Sequence, residues 1–214
     1  MINHVYTLTD DEAACAAVVA RRRNRFNAGQ TNLPGGESAS ESDRLLQHYM
    51  AAMAEIAVSR VTNLCWTGCG RGSDGVPDVG RALEVRSVSR RGLGLLARRK
   101  DRDDLPCVLV LVEPKAQCTI LGWETYGEVK RRGRGRDLDS ERPCWTLPAD
   151  KLRPIESMFL ESTNCTKCGV ERGKGAIVHA CFNCNKILCW RCYWRHEPEC
   201  YERRGGISGK EGSD

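Results

Sequence analysis

Gly75-Val76-Pro77-Asp78-Val79-Gly80-Arg81-Ala82-Leu83-Glu84-Val85-Arg86-Ser87 is the stretch on which the reading of the chain turns. If Leu83 to Ser87 is a strand, successive side chains point to opposite faces. Leu83, Val85 and Ser87 then face a core, and Glu84 and Arg86 stand together on the other side. Asp78 lies six residues before Glu84, and a turn at Gly80 carries it back beside that carboxylate. Two carboxylates and a cation on one patch of sheet can hold a divalent metal and a phosphate. Magnesium is a hard cation that takes one or two protein carboxylates and fills its remaining positions with water and substrate oxygens.

Around this stretch, 214 residues suffice for one domain with a core plus an appendage. The net charge of +5, with 29% charged residues, is mildly basic and suits an anionic partner. No apolar run is long enough to cross a bilayer, and MINHVYTLTDDE lacks the basic-then-apolar order of a signal peptide. The expectation is a cytoplasmic protein without membrane contact, in a compartment where thiols stay reduced. Its 13 cysteines then call for metal rather than disulfides.

Upstream, Thr9-Asp10-Asp11-Glu12 reads as a capping box opening a helix through Ala13 to Arg25, whose end, with Arg21, Arg22, Arg23 and Arg25, is either a solvated helix terminus or a phosphate-binding patch. Ser38-Ala39-Ser40-Glu41 offers a second box and a long helix to about Leu64. Leu46, Met50, Met53, Ala57, Val61 and Leu64 form its core stripe. Glu55 falls on nearly the opposite side, among Ala51, Ala52, Val58 and Ser59, either as an exposed carboxylate or facing a second surface. Cys65 and Cys69 read as ordinary buried or half-buried thiols.

Downstream, Gly92–Arg98, Pro106–Val112 and Cys118–Trp123 read as strands. The run VLVLV is apolar throughout, as an interior strand covered on both faces should be. Arg98 to Asp104 reads as a solvated mixed-charge turn, Glu124–Arg131 as a short helix, and Cys144–Leu147 as an edge strand. Five cations between Lys130 and Arg136 form either a phosphate-tracking segment or a mobile solubilising loop.

Asp78, Glu84 and Arg86, with Glu55 on a preceding helix, resemble the active site of the PD-(D/E)xK nuclease superfamily, where a Lys takes the position of Arg86. The order of elements from Leu46 to Leu152 resembles that of small nuclease-like proteins encoded by phages and prophages. The resemblance implies an α+β or α/β fold of restriction-endonuclease type, a mixed sheet flanked by helices. It further implies Mg²⁺ or Mn²⁺ on Asp78 and Glu84, catalytic roles for Glu55 and Arg86, and a nucleic-acid substrate, with DNA favoured. Arg is permanently cationic and cannot serve as the base. The alternative is therefore an inactive nuclease-fold adaptor that binds nucleic acid or a protein.

The last quarter carries a second pattern. Cys165-x2-Cys168, Cys181-x2-Cys184, Cys189-x2-Cys192, His196 and Cys200 supply eight soft ligands, the number two tetrahedral zinc ions require. The 36 residues from Cys165 to Cys200 bury too little apolar surface to fold unaided. Structural zinc contributes on the order of 10 kcal/mol or more in such modules. The layout resembles cross-brace modules of the ZZ and B-box kind. That resemblance implies one zinc on Cys165, Cys168, Cys189 and Cys192 and another on Cys181, Cys184, His196 and Cys200. Sequential pairing is the rival. A protein partner or single-stranded nucleic acid would bind there, with Trp190, Tyr193 and Trp194 as its surface or its core. The expected organisation is an N-terminal helix and linker over 1–40, a nuclease-like domain over 41–160, a double zinc module over 161–202 and a disordered tail over 203–214.

Overall fold

A computed structural model describes residues 4–27, 40–66, 68, 77–80, 83–136, 143–160, 178–180 and 187–189. The chain divides into two compact units, Met1–Met158 and Phe159–Asp214. Among the described residues no helix is long and apolar enough to cross a membrane.

The first unit mixes helix and sheet. Strand β1 (His4–Thr7) is followed by helices α1 (Asp10–Asn27) and α2 (Glu41–Thr62), then by β2 (Glu84–Val88), β3 (Leu95–Arg98), β4 (Pro106–Glu113) and β5 (Gln117–Thr125). Helix α3 (Tyr126–Arg132), β6 (Arg134–Arg136), β7 (Cys144–Leu147) and a 3-10 turn at Ala149–Lys151 follow, and α4 (Ser157–Leu160) spans the boundary between the two units. The mixed sheet expected from the sequence is present, and the described strands of this unit form a second sheet beside it. One has the order β1-β5-β4-β2, and the other the order β3-β7-β6. Strand β2 runs parallel to β4, whereas β4–β5 and β1–β5 are antiparallel.

The helix starts follow the local code. In α1, Thr9 Oγ1 accepts from the Glu12 amide at 3.3 Å and a Glu12 carboxylate oxygen accepts from the Thr9 amide at 3.0 Å. The box opening α2 sits two residues later than expected. Ser40 is the cap and Asp43 its reciprocal partner, because Ser40-x-x-Asp43 offers the same exchange of side-chain and backbone bonds.

Helix α2 lies across the four-stranded sheet, with α1 packed along it. The expected stripe holds at Met53 and Ala57 and fails at Leu46, which is exposed. From Ala52 to Ser59 every residue is buried, Glu55 included. The small side chains of Ala52, Ala54 and Ala57 let α1 and the sheet both approach closely.

On the other side, β4 is buried from Cys107 to Val112, as its apolar run required. Cys107 and Leu109 join Leu95, Ala97 and Leu147 of the second sheet and Tyr126 and Val129 of α3 in one buried cluster. Strand β7 is central to its sheet rather than an edge, because β6 pairs with it across Arg134↔Thr146 and Arg136↔Cys144. Residues 134–136 are thus strand, not a mobile loop.

At the step from Leu109 to Val110 the register shifts, leaving Leu121 of β5 as an extra residue before Gly122. There Gly122, at φ 141°, passes so close to the Arg153 carbonyl that a Cβ would meet it at 2.7 Å. That approach lets Trp123 and Arg153 exchange backbone hydrogen bonds of 2.9 and 3.0 Å.

In the second unit a hairpin of β8 (Val178–Ala180) and β9 (Ile187–Cys189) is described. Cys165, Cys168, Cys181, Cys184, Cys192, His196 and Cys200 lie outside the described residues, as does the side chain of Cys189.

Candidate active site

The stretch that opened the reading folds as a tight reversal. Val79 and Leu83 exchange backbone hydrogen bonds of 3.1 and 3.0 Å around Gly80, which adopts φ 59° and donates its amide to the Cys65 carbonyl at 2.8 Å. In that register Asp78 lies opposite Glu84, so both side chains leave the same face. The Val85 amide donates to Asp78 Oδ2 at 2.9 Å and fixes its carboxyl. Trp66 bridges to Val79 as a third short strand.

Glu55 enters from α2. The exposed position open to it from the sequence is overturned: its side chain is 4% exposed and fully bonded. Arg23 Nη1 and Nη2 donate to its two oxygens at 2.8 Å each, and the Trp66 indole donates to Oε2 at 2.8 Å. Arg23 is thereby removed from the cluster expected at the end of α1. Cys65, expected to be at least half-buried, is exposed. Its segment follows Asn63, whose left-handed conformation ends α2 and turns the chain outward.

Arg86 leaves β2 on the Glu84 side and is half-buried. Its Nε donates to the Tyr126 hydroxyl at 3.0 Å, and its guanidinium lies 3.7 Å from Asp101 Oδ2. Asp101 belongs to the turn expected to be merely solvated, yet its side chain is 9% exposed. It also accepts from the Arg98 amide at 2.8 Å.

Among the described residues, four carboxylates (Glu55, Asp78, Glu84 and Asp101) therefore lie around two guanidiniums, those of Arg23 and Arg86. The imbalance falls on the central pair. Burial, then the negative charges of Glu55 and Glu84, push the Asp78 carboxyl up to about 8. Burial also raises Glu84; Arg86 opposes the rise, and Asp101 and Glu55 add to it. Glu84 accepts a hydrogen bond from Asp78, so the proton retained by the pair belongs on Asp78. Burial pushes the Cys107 thiol, which is hydrogen-bonded to Tyr126, up to about 12. A neutral thiol and a neutral phenol thus back Arg86.

Such a pair of hard oxygen donors, carrying more negative charge than its neighbours balance, suits a divalent cation. Glu55, bonded to Arg23 and Trp66, is available to orient and polarise rather than to ligate. Among the described residues no three His, Cys, Asp or Glu side chains are grouped closely enough to enclose a metal. A cation here would take two protein carboxylates and complete its shell from water and substrate.

No family model, curated protein or solved structure matches this chain.

Sequence reasoning found Asp78, Glu84 and Arg86 from the alternation of one strand and the turn before it. It missed Arg23, Trp66, Asp101 and Tyr126, which arrive from four other segments. Asp101 did leave a signal: Arg98-x-x-Asp101 has the spacing of a side chain closing its own turn. Arg23 left only its place in a run of arginines.

Proposed function

We propose that the first unit hydrolyses phosphodiester bonds in nucleic acid with a divalent cation held by Asp78 and Glu84, on a nuclease-like α+β scaffold of restriction-endonuclease type. The observation that carries this reading is the half-buried Asp78–Glu84 pair, where, among the described residues, the carboxylates outnumber the guanidiniums beside them. When bound, a cation such as Mg²⁺ supplies Lewis acidity and positive charge at a phosphate oxygen. The chain supplies the rest. The Val85 amide orients Asp78, Glu55 adds negative potential from α2, and Tyr126 with Asp101 holds Arg86. Arg86 offers a fixed cation to a phosphate and, being always charged, takes no part in proton transfer.

One observation favours a second reading, an inactive adaptor: Arg86 is already engaged by Tyr126 and Asp101. In that case the C-terminal unit carries the binding. Its spacing of seven cysteines and one histidine supports two structural zinc ions and a nucleic-acid or protein ligand.

A cleavage screen over single- and double-stranded DNA and RNA with Mg²⁺ or Mn²⁺ tests the first reading. Asp78→Ala and Glu84→Ala are each expected to abolish cleavage, and cleavage surviving in both variants would refute it. Binding without cleavage decides for the adaptor, and activity gained by Arg86→Lys would then trace the loss to that one position.

A further inference from the structure

Between β3 and β4 the chain makes a turn with three adjacent exposed cations, Arg98, Arg99 and Lys100. A cluster of this kind is ordinarily a solvated surface. Here the backbone beneath it is held from several directions. The Arg98 amide donates to Asp101 Oδ2 at 2.8 Å, and the Asp101 amide to the Arg98 carbonyl at 3.1 Å. Lys130 Nζ reaches across from α3 and donates to the carbonyls of Arg99 and Asp101 at 3.3 and 2.5 Å and to Asp103 Oδ1 at 2.7 Å. The Gly127 amide donates to the Asp103 carbonyl at 2.9 Å. The turn is fixed at both ends, and its Asp101 faces Arg86 and Glu84.

Several other cations of the first unit are engaged. Lys130 ties down this turn, Arg131 pairs with Glu128, and Arg132 pairs with Glu124 and donates to the Lys151 carbonyl. Three members of the run that the sequence marked for phosphate tracking are thus engaged within the first unit. Arg102, in the turn itself, pairs with Asp104. Among the described residues, Arg98, Arg99 and Lys100 form no ion pair. They stand one to three residues from the carboxylate that touches Arg86.

We infer that the Arg98–Lys100 turn is the backbone-binding element for the nucleic acid whose phosphate enters the Asp78–Glu84 site. This rests on the phosphodiester reading above and specifies how the strand is held. Exposed cations beside a half-buried acidic pair sort the ligand: the flanking phosphates lie on the basic rim, and the phosphate at the carboxylates meets its cation there. Because the rim touches phosphates, it sets affinity and position without reading bases. Lys130 serves as a positioning residue, since it touches the turn's carbonyls and not the strand.

The experiment is equilibrium binding of the full chain to labelled single-stranded and duplex DNA by fluorescence anisotropy. It runs over a series of KCl concentrations, with Ca²⁺ replacing Mg²⁺. Arg98→Ala, Arg99→Ala and Lys100→Ala combined are expected to weaken binding at low salt by at least about tenfold. They should also reduce the slope of log K against log[KCl] by roughly 2 to 3, because each phosphate no longer neutralised keeps its counterion. A loss confined to single strands, or to duplex, assigns the turn to that form. Because these side chains are exposed and the anchors lie in the backbone and Lys130, the melting temperature should be unchanged. If the triple variant melts early, the single change Lys100→Glu carries the same test.

Unchanged affinity and slope in a folded variant would overturn the inference while leaving the cleavage reading intact. Weakened binding in a protein that never cleaves would support the turn and remove the hydrolytic reading. A wild-type chain that binds neither DNA form at low salt would remove the turn's role outright.

Discussion

Arg23 on α1 grips Glu55 on α2 through two parallel hydrogen bonds of 2.8 Å, with 12% and 4% of the two side chains exposed. The pair joins the two helices beside the Asp78–Glu84 site and decides how much negative potential reaches it. Truncating one partner leaves a buried charge alone. Arg23→Ala is therefore expected to cost about 3–5 kcal/mol, read from urea denaturation midpoints. Replacing both residues with apolar ones of similar volume should recover most of that loss.

Asp78 gives the first unit a definite pH response. Folded Asp78 keeps its proton up to about 8, through burial and the charges of Glu55 and Glu84, whereas the unfolded carboxyl releases it near 3.8. Between those values the native state binds more protons, so stability declines as pH rises. The decline is at most ~1.4 kcal/mol per pH unit for one group. Asp78→Asn should flatten this slope and raise the melting temperature in mild alkali.

The same change should abolish stabilisation by divalent cation. Mg²⁺ at about 100 times its dissociation constant stabilises the native state by ~2.7 kcal/mol. Proton and cation compete for Asp78, so the gain should grow as pH passes through about 8. Calorimetry of wild type and Asp78→Asn, with and without Mg²⁺, checks both expectations. Equal Mg²⁺ stabilisation of the two proteins would place the cation elsewhere.

Glu124, 1% exposed, is held by Arg132 at 2.8 Å and by Arg153 at 2.7 Å, and Arg153 also stacks 3.5 Å over the Trp123 ring. Losing either charged hydrogen bond should cost about 1.5–3 kcal/mol. Arg153→Ala should cost more than Arg132→Ala, because it forfeits the aromatic stack as well. Denaturation of the two single variants compares them directly.

For the C-terminal unit, elemental analysis of protein purified without added metal should give two zinc ions per chain. Removing them with a strong chelator should melt that unit while leaving the transition of Met1–Met158 in place. Absence of zinc from a folded chain would overturn the ligand assignment.

What was legible in the sequence was local. Thr9 and Glu12 cap α1 because that code spans one helical turn, and the VLVLV run announces a strand covered on both faces. Asp78 and Glu84 could be paired in advance because only a glycine turn and a strand's alternation intervene. The start of α2, by contrast, lies at Ser40 rather than Ser38, because Asp43 answers Ser40 at the same spacing at which Glu41 follows Ser38. The second sheet, with β7 at its centre, depends on pairings across Arg98↔Cys144 and Arg136↔Cys144, which no local period encodes. Arg23 and Asp101 read as members of charged surface runs, and Glu124 as the start of a short helix, whereas it ends up buried in β5. Each is defined by a partner on a distant segment, at Glu55, Arg86 and Arg153 respectively.

The short N-terminal strand has a consequence for how the protein should be handled. By pairing with Gln117–Ile120, the four residues His4–Thr7 cover part of β5 and leave a shorter strand at this edge of the sheet, where the nine-residue β5 would otherwise present its amides and carbonyls to solvent. Trimming the chain before Leu8, or tethering a bulky fusion there, would uncover that border and invite other molecules to zip onto it. Loss of solubility after such trimming would then reflect newly exposed backbone and not a change at Asp78 and Glu84.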